Sequence, residues 1–481
     1  MIRRADGQTS PCRGTGRSPR RPLPFAVGGP TRPNVLTHRQ VPARSAPNKP
    51  PTCRGEATRM ASDADTLAIE GGTPVRAEPL PSRDPFGPAD LEQLRSVIDQ
   101  QTAFFPLGSK VYEFERRFGE LYGVSHASAS TSGTSAIHVA VGALNLQPGS
   151  EVITTPLSDM GTVAPIVLCG CVPIFADLKL DTFNLDPDSV RERITDRTRA
   201  LIVVHCWGQP AEMDELMAIA REHDLRVIED CSQTHLTRYR GQLVGTIGDL
   251  GAFSLQDSKH LQCGDGGVTI TDDEDLRARA AVYVDKGCDW TEDRAYRLRY
   301  SFIAPCYRMT EWQGAVLCSQ LDRLEWIVRT RQRLGDRLVG LLQDIPGIHP
   351  PERIEGAEHS YWHFPLRLDG ELLGVTRERF LEMVRAEGVP LGGGWIGKLL
   401  YQFDALRDRI AFGASEFPWD YRREEPVEYQ TGLCPNAERG VAELCVLAFN
   451  ERWSEDDIDS AAEAIEKVAR ICASRAGGGP R

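Results

Sequence analysis

Gly251-Ala-Phe-Ser-Leu-Gln-Asp-Ser-Lys259-His-Leu-Gln-Cys-Gly-Asp-Gly-Gly267, running into Val268-Thr-Ile-Thr271, sets a single lysine between an apolar run and a cluster of glycines. The apolar residues on either side read as strands, and the polar and glycine residues between them as a turn. Upstream, Val227-Ile-Glu-Asp230 reads as a buried strand that ends in an acid. The same pattern continues outward through Glu151-Val-Ile-Thr-Thr155, Val172-Pro-Ile-Phe-Ala-Asp177 and Ala200-Leu-Ile-Val-Val-His205, with helical stretches between them such as Met213 to His223. Short apolar strands joined by helical crossovers predict an α/β fold with a mostly parallel sheet covered by helices on both faces.

Helical spacing also marks Pro88-Ala-Asp-Leu-Glu-Gln-Leu-Arg95, Val111-Tyr-Glu-Phe-Glu-Arg-Arg-Phe118 and a long amphipathic stretch from about Thr310 to Leu342. Beyond it the chain alternates short strands and helices and reads as a smaller C-terminal α+β domain. The expected organisation is an extension over 1–59, a large domain with an N-terminal arm and the long helix over 60–345, a small domain over 346–472 and a flexible tail over 473–481. Residues 1–59 hold 12 Lys+Arg against 2 Asp+Glu, and ten of the chain's 32 prolines. Such a segment buries too little apolar surface to offset its ordering entropy and is expected to be disordered. It has the Arg-rich, acid-poor composition of a transit peptide, but Met60-Ala-Ser-Asp63 also reads as an alternative start, so the extension need not belong to the native chain.

The formal charge of −12 divides into +10 before Met60 and −22 after it. An acidic body argues against nucleic acid as a partner. No apolar run approaches the length of a membrane span. The 13 cysteines are scattered without a Cys-x-x-Cys pair, which predicts reduced thiols, a cytoplasmic protein and no metal site.

Four further features carry chemistry. Ser130-Thr-Ser-Gly-Thr-Ser135 precedes the apolar helix from Ala136; small residues there serve equally as a plain cap or as a phosphate cradle on free N–H groups. Asp230 ends its strand where an unpaired carboxylate would be costly, and a cationic ring nitrogen would be a fitting partner. Gln233 and His235 follow at the strand end, where open α/β sheets place ligands; His235 reads equally as a structural hydrogen-bonding group. Ser254, five residues before Lys259, stands within reach of a phosphate. A lysine able to form an imine, an acid for a pyridinium and a phosphate cradle are together the needs of pyridoxal 5'-phosphate.

These residues resemble the DegT/StrS family of sugar and aminocyclitol aminotransferases, which have the fold type I architecture of pyridoxal-phosphate enzymes. The resemblance covers about residues 66–472. It is carried by Ser132-Gly-Thr-Ser135, Val204-His-Cys-Trp-Gly-Gln-Pro210, Glu229-Asp-Cys-Ser-Gln233, Gly248-Asp-Leu-Gly-Ala-Phe-Ser254, Ser258-Lys-His-Leu-Gln-Cys-Gly-Asp-Gly-Gly267, Tyr307-Arg-Met-Thr-Glu-Trp-Gln-Gly-Ala-Val316 and Cys434-Pro-Asn-Ala-Glu438, in that order. It implies that Lys259 carries the imine link and acts in catalysis with Asp230, which pairs with the ring nitrogen. It implies that Gln233 contacts the ring hydroxyl, and that Gly133, Thr134 and Ser254 hold the phosphate. It also implies a homodimer in which the segment around Tyr307-Arg308 reaches the neighbour's site. Three positions depart from the family pattern. Met160 takes the place of the aromatic residue that stacks on the ring, Cys306 that of an Asn, and Gly264-Asp-Gly-Gly267 that of Gly-Glu-Gly-Gly.

The reading that follows is a ping-pong aminotransferase. It would move an amino group from glutamate or glutamine to a keto-sugar or keto-cyclitol, such as an inosose, in secondary-metabolite, antibiotic or aminosugar biosynthesis. The alternatives are a lyase or dehydratase of the same fold, akin to aminohydroxybenzoate synthase, and a non-catalytic regulator. The relatives that dehydrate sugars carry histidine where Lys259 stands, and nothing in the body of the chain reads DNA.

Overall fold

The computed structural model describes residues 66–288, 300–394 and 396–477; the predicted extension lies outside them. After an irregular arm come α1 (Pro88–Asp99) and α2 (Lys110–Tyr122). The alternating region follows as β1 (His126–Ser130), α3 (Gly133–Leu144), β2 (Glu151–Thr154), α4 (Met160–Leu168), β3 (Val172–Phe175), α5 (Pro187–Arg193), β4 (Thr198–Val204), α6 (Met213–Glu222) and β5 (Arg226–Asp230). A two-stranded hairpin, β6 (Arg238–Tyr239) and β7 (Gln242–Leu243), leads to β8 (Leu250–Ser254), β9 (Gly267–Thr271) and α7 (Glu274–Tyr283).

Seven strands form one sheet in the order β1-β9-β8-β5-β4-β2-β3, and only β9 runs against the rest. The mostly parallel α/β architecture expected from the sequence is present. The strands are almost wholly buried because helices cover both faces, which is why they read as apolar runs rather than alternating ones. The strand β1 lacked a sequence signal: His-Ala-Ser-Ala-Ser carries no β-branched residue, and its pairing with β9 holds it in the sheet. Helix α3 begins at Gly133 rather than Ala136, with Ser132 as its cap; the Ser132 hydroxyl accepts the Ser135 N–H at 3.0 Å.

The long helix α8 (Glu311–Leu342) links this sheet to β10 (Ile348–His349), β11 (Phe364–Leu368), α9 (Gly370–Leu373), α10 (Arg377–Ala386), β12 (Leu391–Gly392), α11 (Asp404–Arg407), α12 (Pro435–Glu443), β13 (Leu444–Leu447) and α13 (Glu455–Gly477). These four strands make an antiparallel sheet, β10-β11-β13-β12, the smaller α+β part. Both sheets belong to one compact unit, Ala61–Arg481. No helix among the described residues is long and apolar enough to cross a membrane.

Glu311, at the first turn of α8, ties two helices together. Its buried carboxylate accepts the backbone N–H groups of Ser109, Lys110 and Val111 at 2.8, 2.8 and 3.1 Å, and the Gln100 side-chain amide at 2.8 Å. It satisfies the orphan donors at the start of α2 and places a negative charge at the positive end of that helix. A Cβ on Gly108 would overlap the same side chain. Glu311→Ala is therefore expected to lower stability by roughly 2–4 kcal/mol, because it strands several buried N–H groups. Urea unfolding should show a lower midpoint at unchanged slope; an unshifted midpoint would refute the role.

Candidate active site

A cavity of about 370 Å³ opens at the C-terminal ends of β5 and β8 and the N-terminus of α3. Lys259, Asp230, Gln233, Ser254, Gly133 and Thr134 all line it, so the structure brings together six of the residues singled out from the sequence. Met160 is not among the lining residues; it is half-buried and packs on the core, while its neighbour Asp159 faces the cavity. Cys306 is exposed and lies away from the lining, bridged to Asp285 through the backbone. His235 is fully buried, but it does not line the cavity, and neither ring nitrogen has a hydrogen-bond partner among the described residues. Its ring packs near Phe253 and His260 instead. Burial, with the Lys259 and Arg83 charges, drives its pKa down to about 3 and keeps it neutral.

Asp230 is held from two sides. Its Oδ2 accepts the Thr162 hydroxyl at 2.8 Å, and its Oδ1 accepts the Ser232 N–H at 3.0 Å. Gln233 is oriented by the Trp207 N–H, which donates to its carboxamide oxygen at 2.6 Å, so its nitrogen is the end left to donate. At the start of α3, a Cβ on Gly133 would lie 2.7 Å from the Ser254 Cβ and 3.0 Å from its hydroxyl oxygen. Only glycine lets the serine hydroxyl approach the helix N-terminus this closely, which forms a small polar cradle where the dipole favours an anion.

Lys259 is almost wholly buried, and its Nζ stands 3.5 Å from the ring centroid of Trp362. The Trp362 indole N–H donates to the Ser258 carbonyl at 3.0 Å, and its ring stacks on Trp207. Burial pulls the lysine pKa down to about 7; Asp230 and Asp159 pull the other way without cancelling it. Sequence reasoning missed Trp362 and Thr162. Trp362 stands just before β11, about a hundred positions further along, in a stretch that reads as core. Thr162 lies in the first turn of α4, close to Met160, which the resemblance had placed at the site.

Elsewhere, His205, Glu229 and Cys231 form a buried cluster close enough to suggest a metal. Two of the three are already engaged: Glu229 accepts from Gly245, Ile247 and Gly248 N–H groups and from His205 Nε2, while His205 Nδ1 accepts the Ala211 N–H.

A dry lysine facing a carboxylate at a strand end, beside a glycine-serine cradle on a helix N-terminus, fits a pyridoxal-phosphate site of fold type I. Residues 87–409 match the DegT/DnrJ/EryC1/StrS aminotransferase family, and the chain belongs to it. It is an aminotransferase that uses pyridoxal phosphate. One relative, the putative L-glutamine:3-amino-2,3-dideoxy-scyllo-inosose aminotransferase of Micromonospora echinospora, is 35% identical over 84% of this chain and 96% of its own. The spore coat polysaccharide biosynthesis protein SpsC of Bacillus subtilis is 30% identical over 80% and 95%. Among solved structures, S. venezuelae DesV in complex with a ketimine intermediate superposes with a TM-score of 0.69 at 26% identity, over 79% of this chain and 94% of that one. 3-Amino-5-hydroxybenzoic acid synthase reaches 0.72 at 24% identity, over 82% and 100%, a likeness of fold.

The lysine pKa leads to a pH prediction. In cofactor-free protein, labelling of Lys259 by an amine-reactive reagent should reach half its limiting rate near pH 7, read by peptide mapping. Asp230→Asn removes a charge that favours the ammonium and should move that midpoint down. The linkage sign is that of a depressed lysine: between its ordinary 10.5 and about 7 only the unfolded chain holds the proton, so stability falls as pH drops through that window. A midpoint near 10 would contradict the dry-pocket geometry.

Proposed function

We propose that this enzyme transfers an amino group from L-glutamine to a keto-cyclitol of the inosose type, in the biosynthesis of an amino-bearing secondary metabolite. The observation that carries the reading is the buried Lys259 amine facing the doubly anchored Asp230 in one cavity. Three relatives at 32–35% identity share the L-glutamine:inosose name and support the substrate pair.

Pyridoxal phosphate supplies, when bound, an aldehyde that links to amines and a protonated ring that draws electrons from the bond being broken. Lys259, whose pKa burial pulls down to about 7, would be the amine that forms the link and would then carry the proton between donor carbon and cofactor carbon. Asp230 is fixed by Thr162 and Ser232, so its carboxylate would meet a ring nitrogen without reorganisation. Gln233 would donate to the ring hydroxyl, while Gly133, Thr134 and Ser254 would hold the phosphate at the N-terminus of α3. Trp362 covers the amine and keeps water from it. Met160, the first residue of α4, packs on the core, and Asp159 takes the position that faces the cavity.

The enzyme works as a homodimer in the cytoplasm. Phe104, Leu107, Tyr300, Ile303 and Trp312 are all exposed apolar residues on two segments that meet where Arg308 lies over the Phe104 ring. A patch of this kind is suited to a second copy. The body divides into a large part over 60–345 and a small one over 346–472.

Two experiments test this. L-Glutamine should convert the cofactor's lysine-linked absorbance to that of the aminated form, and an inosose should restore it; Lys259→Ala should abolish both, a loss of 10³-fold or more. A dehydrated or aromatised product in place of an amine would favour the lyase reading. Protein beginning at Met60 should remain dimeric and active, and loss of cofactor binding would show that the extension belongs to the site.

A further inference from the structure

Arg83 lies on the irregular arm before α1, and its guanidinium is aimed at the turn that bears Lys259. Its Nη1 donates to the Lys259 carbonyl at 2.7 Å and the Asp257 carbonyl at 3.0 Å, and its Nη2 donates to the His260 carbonyl at 3.1 Å. Its Nε donates to Glu451 Oε1 at 2.8 Å. The other Glu451 oxygen accepts from Arg331 Nε and Nη2, at 3.0 and 2.8 Å, in the middle of α8. Arg331 Nη1 then donates to the carbonyl of Trp362, whose ring lies against the lysine amine, at 2.9 Å. The Glu451 and Arg331 side chains are 1% and 2% exposed.

Three carbonyls that converge on one point repel each other unless a donor stands there, and a planar fork reaches them where a point charge would not. A buried Arg-Glu-Arg group is a poor way to gain stability, since apolar residues of similar volume commonly do as well or better. What the ions supply is fixed geometry. Burial pushes the Glu451 carboxyl up, but Arg331 and Arg83 outweigh it and hold it near 2, so the group stays ionised at working pH.

We propose that Arg83, locked by Glu451 and Arg331, is a positioning residue for Lys259: it fixes the backbone of the turn so that the amine stays in the dry cavity against Trp362 and across from Asp230. The inference rests on reading Lys259 as the cofactor lysine. The charged and titratable groups that act on the amine are Asp230 on β5, Asp159 at the start of α4, and His235 and His363, and all of them remain when Arg83 is changed.

The test uses Arg83→Gln, Arg83→Lys and, as a destabilised control away from the turn, Glu311→Gln. Arg83→Lys keeps a charge for Glu451 but loses the fork. In cofactor-free protein both Arg83 variants should raise the midpoint pH of Lys259 labelling by about one unit, as the turn loosens and water reaches the amine. Amide exchange over 257–263 should quicken about tenfold or more, while α3 amides keep their rates. In loaded enzyme kcat should fall with the KM for glutamine little changed. Glu311→Gln should lower stability without moving the midpoint. If Arg83→Gln does not fold, the midpoint in Arg83→Lys decides. A midpoint unchanged within error in the folded variants, or one that moves equally in Glu311→Gln, overturns the proposal. Borohydride reduction and peptide mapping of the parent tests the underlying reading separately: a label away from Lys259 sinks that reading, while the midpoint still reports on the clamp.

Discussion

Glu229 is fully buried, and four hydrogen bonds hold its carboxylate. Three come from the N–H groups of Gly245, Ile247 and Gly248, and the fourth from His205 at the end of the neighbouring strand. A buried carboxylate left unpaired would be strongly destabilising, so this arrangement is all-or-none. It fixes the loop before β8 against the end of β5, and Ser254 rides on β8. The next residue, Asp230, points to the opposite face of the sheet by strand alternation and enters the cavity. The separation between Asp230 and Ser254 in the cavity is therefore set by a carboxylate that does not line it.

The parallel order of the strands does the rest. Because β5 and β8 are neighbours and run the same way, their C-terminal ends open side by side. The N-terminus of α3 arrives at that edge, and the turn to β9 brings Lys259 back across it. Open α/β sheets bind ligands at such an edge because backbone donors and helix dipoles converge there. The smaller antiparallel sheet contributes through Trp362 before β11, which donates to the Ser258 carbonyl, and Glu451 after β13, which accepts from Arg83.

Most of this frame was legible in the sequence, for a physical reason: it is local. An apolar strand, a small-residue helix start and a glycine-bounded lysine each declare themselves within a dozen residues. What was not legible is what depends on residues far apart. Trp362 reads as an ordinary core aromatic, and only the fold reveals that an amine lies on it. Thr162 reads as a helix residue, and only the fold turns its hydroxyl to Asp230. Met160 shows the limit from the other side. The resemblance placed Met160 at the right turn, but the first helical residue points to the core, while the cap before it, Asp159, faces the cavity. A one-position shift at a helix start exchanges the inward and outward residues, and spacing alone does not settle it.

The reach of the clamp has a consequence for synthesis. The backbone that carries Lys259 is held by Arg83, which leaves the ribosome early, but Arg83 is itself held by Glu451, which leaves close to the end. A nascent chain can assemble β1 to β5 and present Asp230 well before the lysine's surroundings are complete. The Arg83–Glu451 contact joins residues near opposite ends of the described chain, and contacts of that kind form slowly and late. Chemical competence therefore arrives with the last segment of the polypeptide, and a growing or truncated chain carries the amine without the enclosure that tunes it.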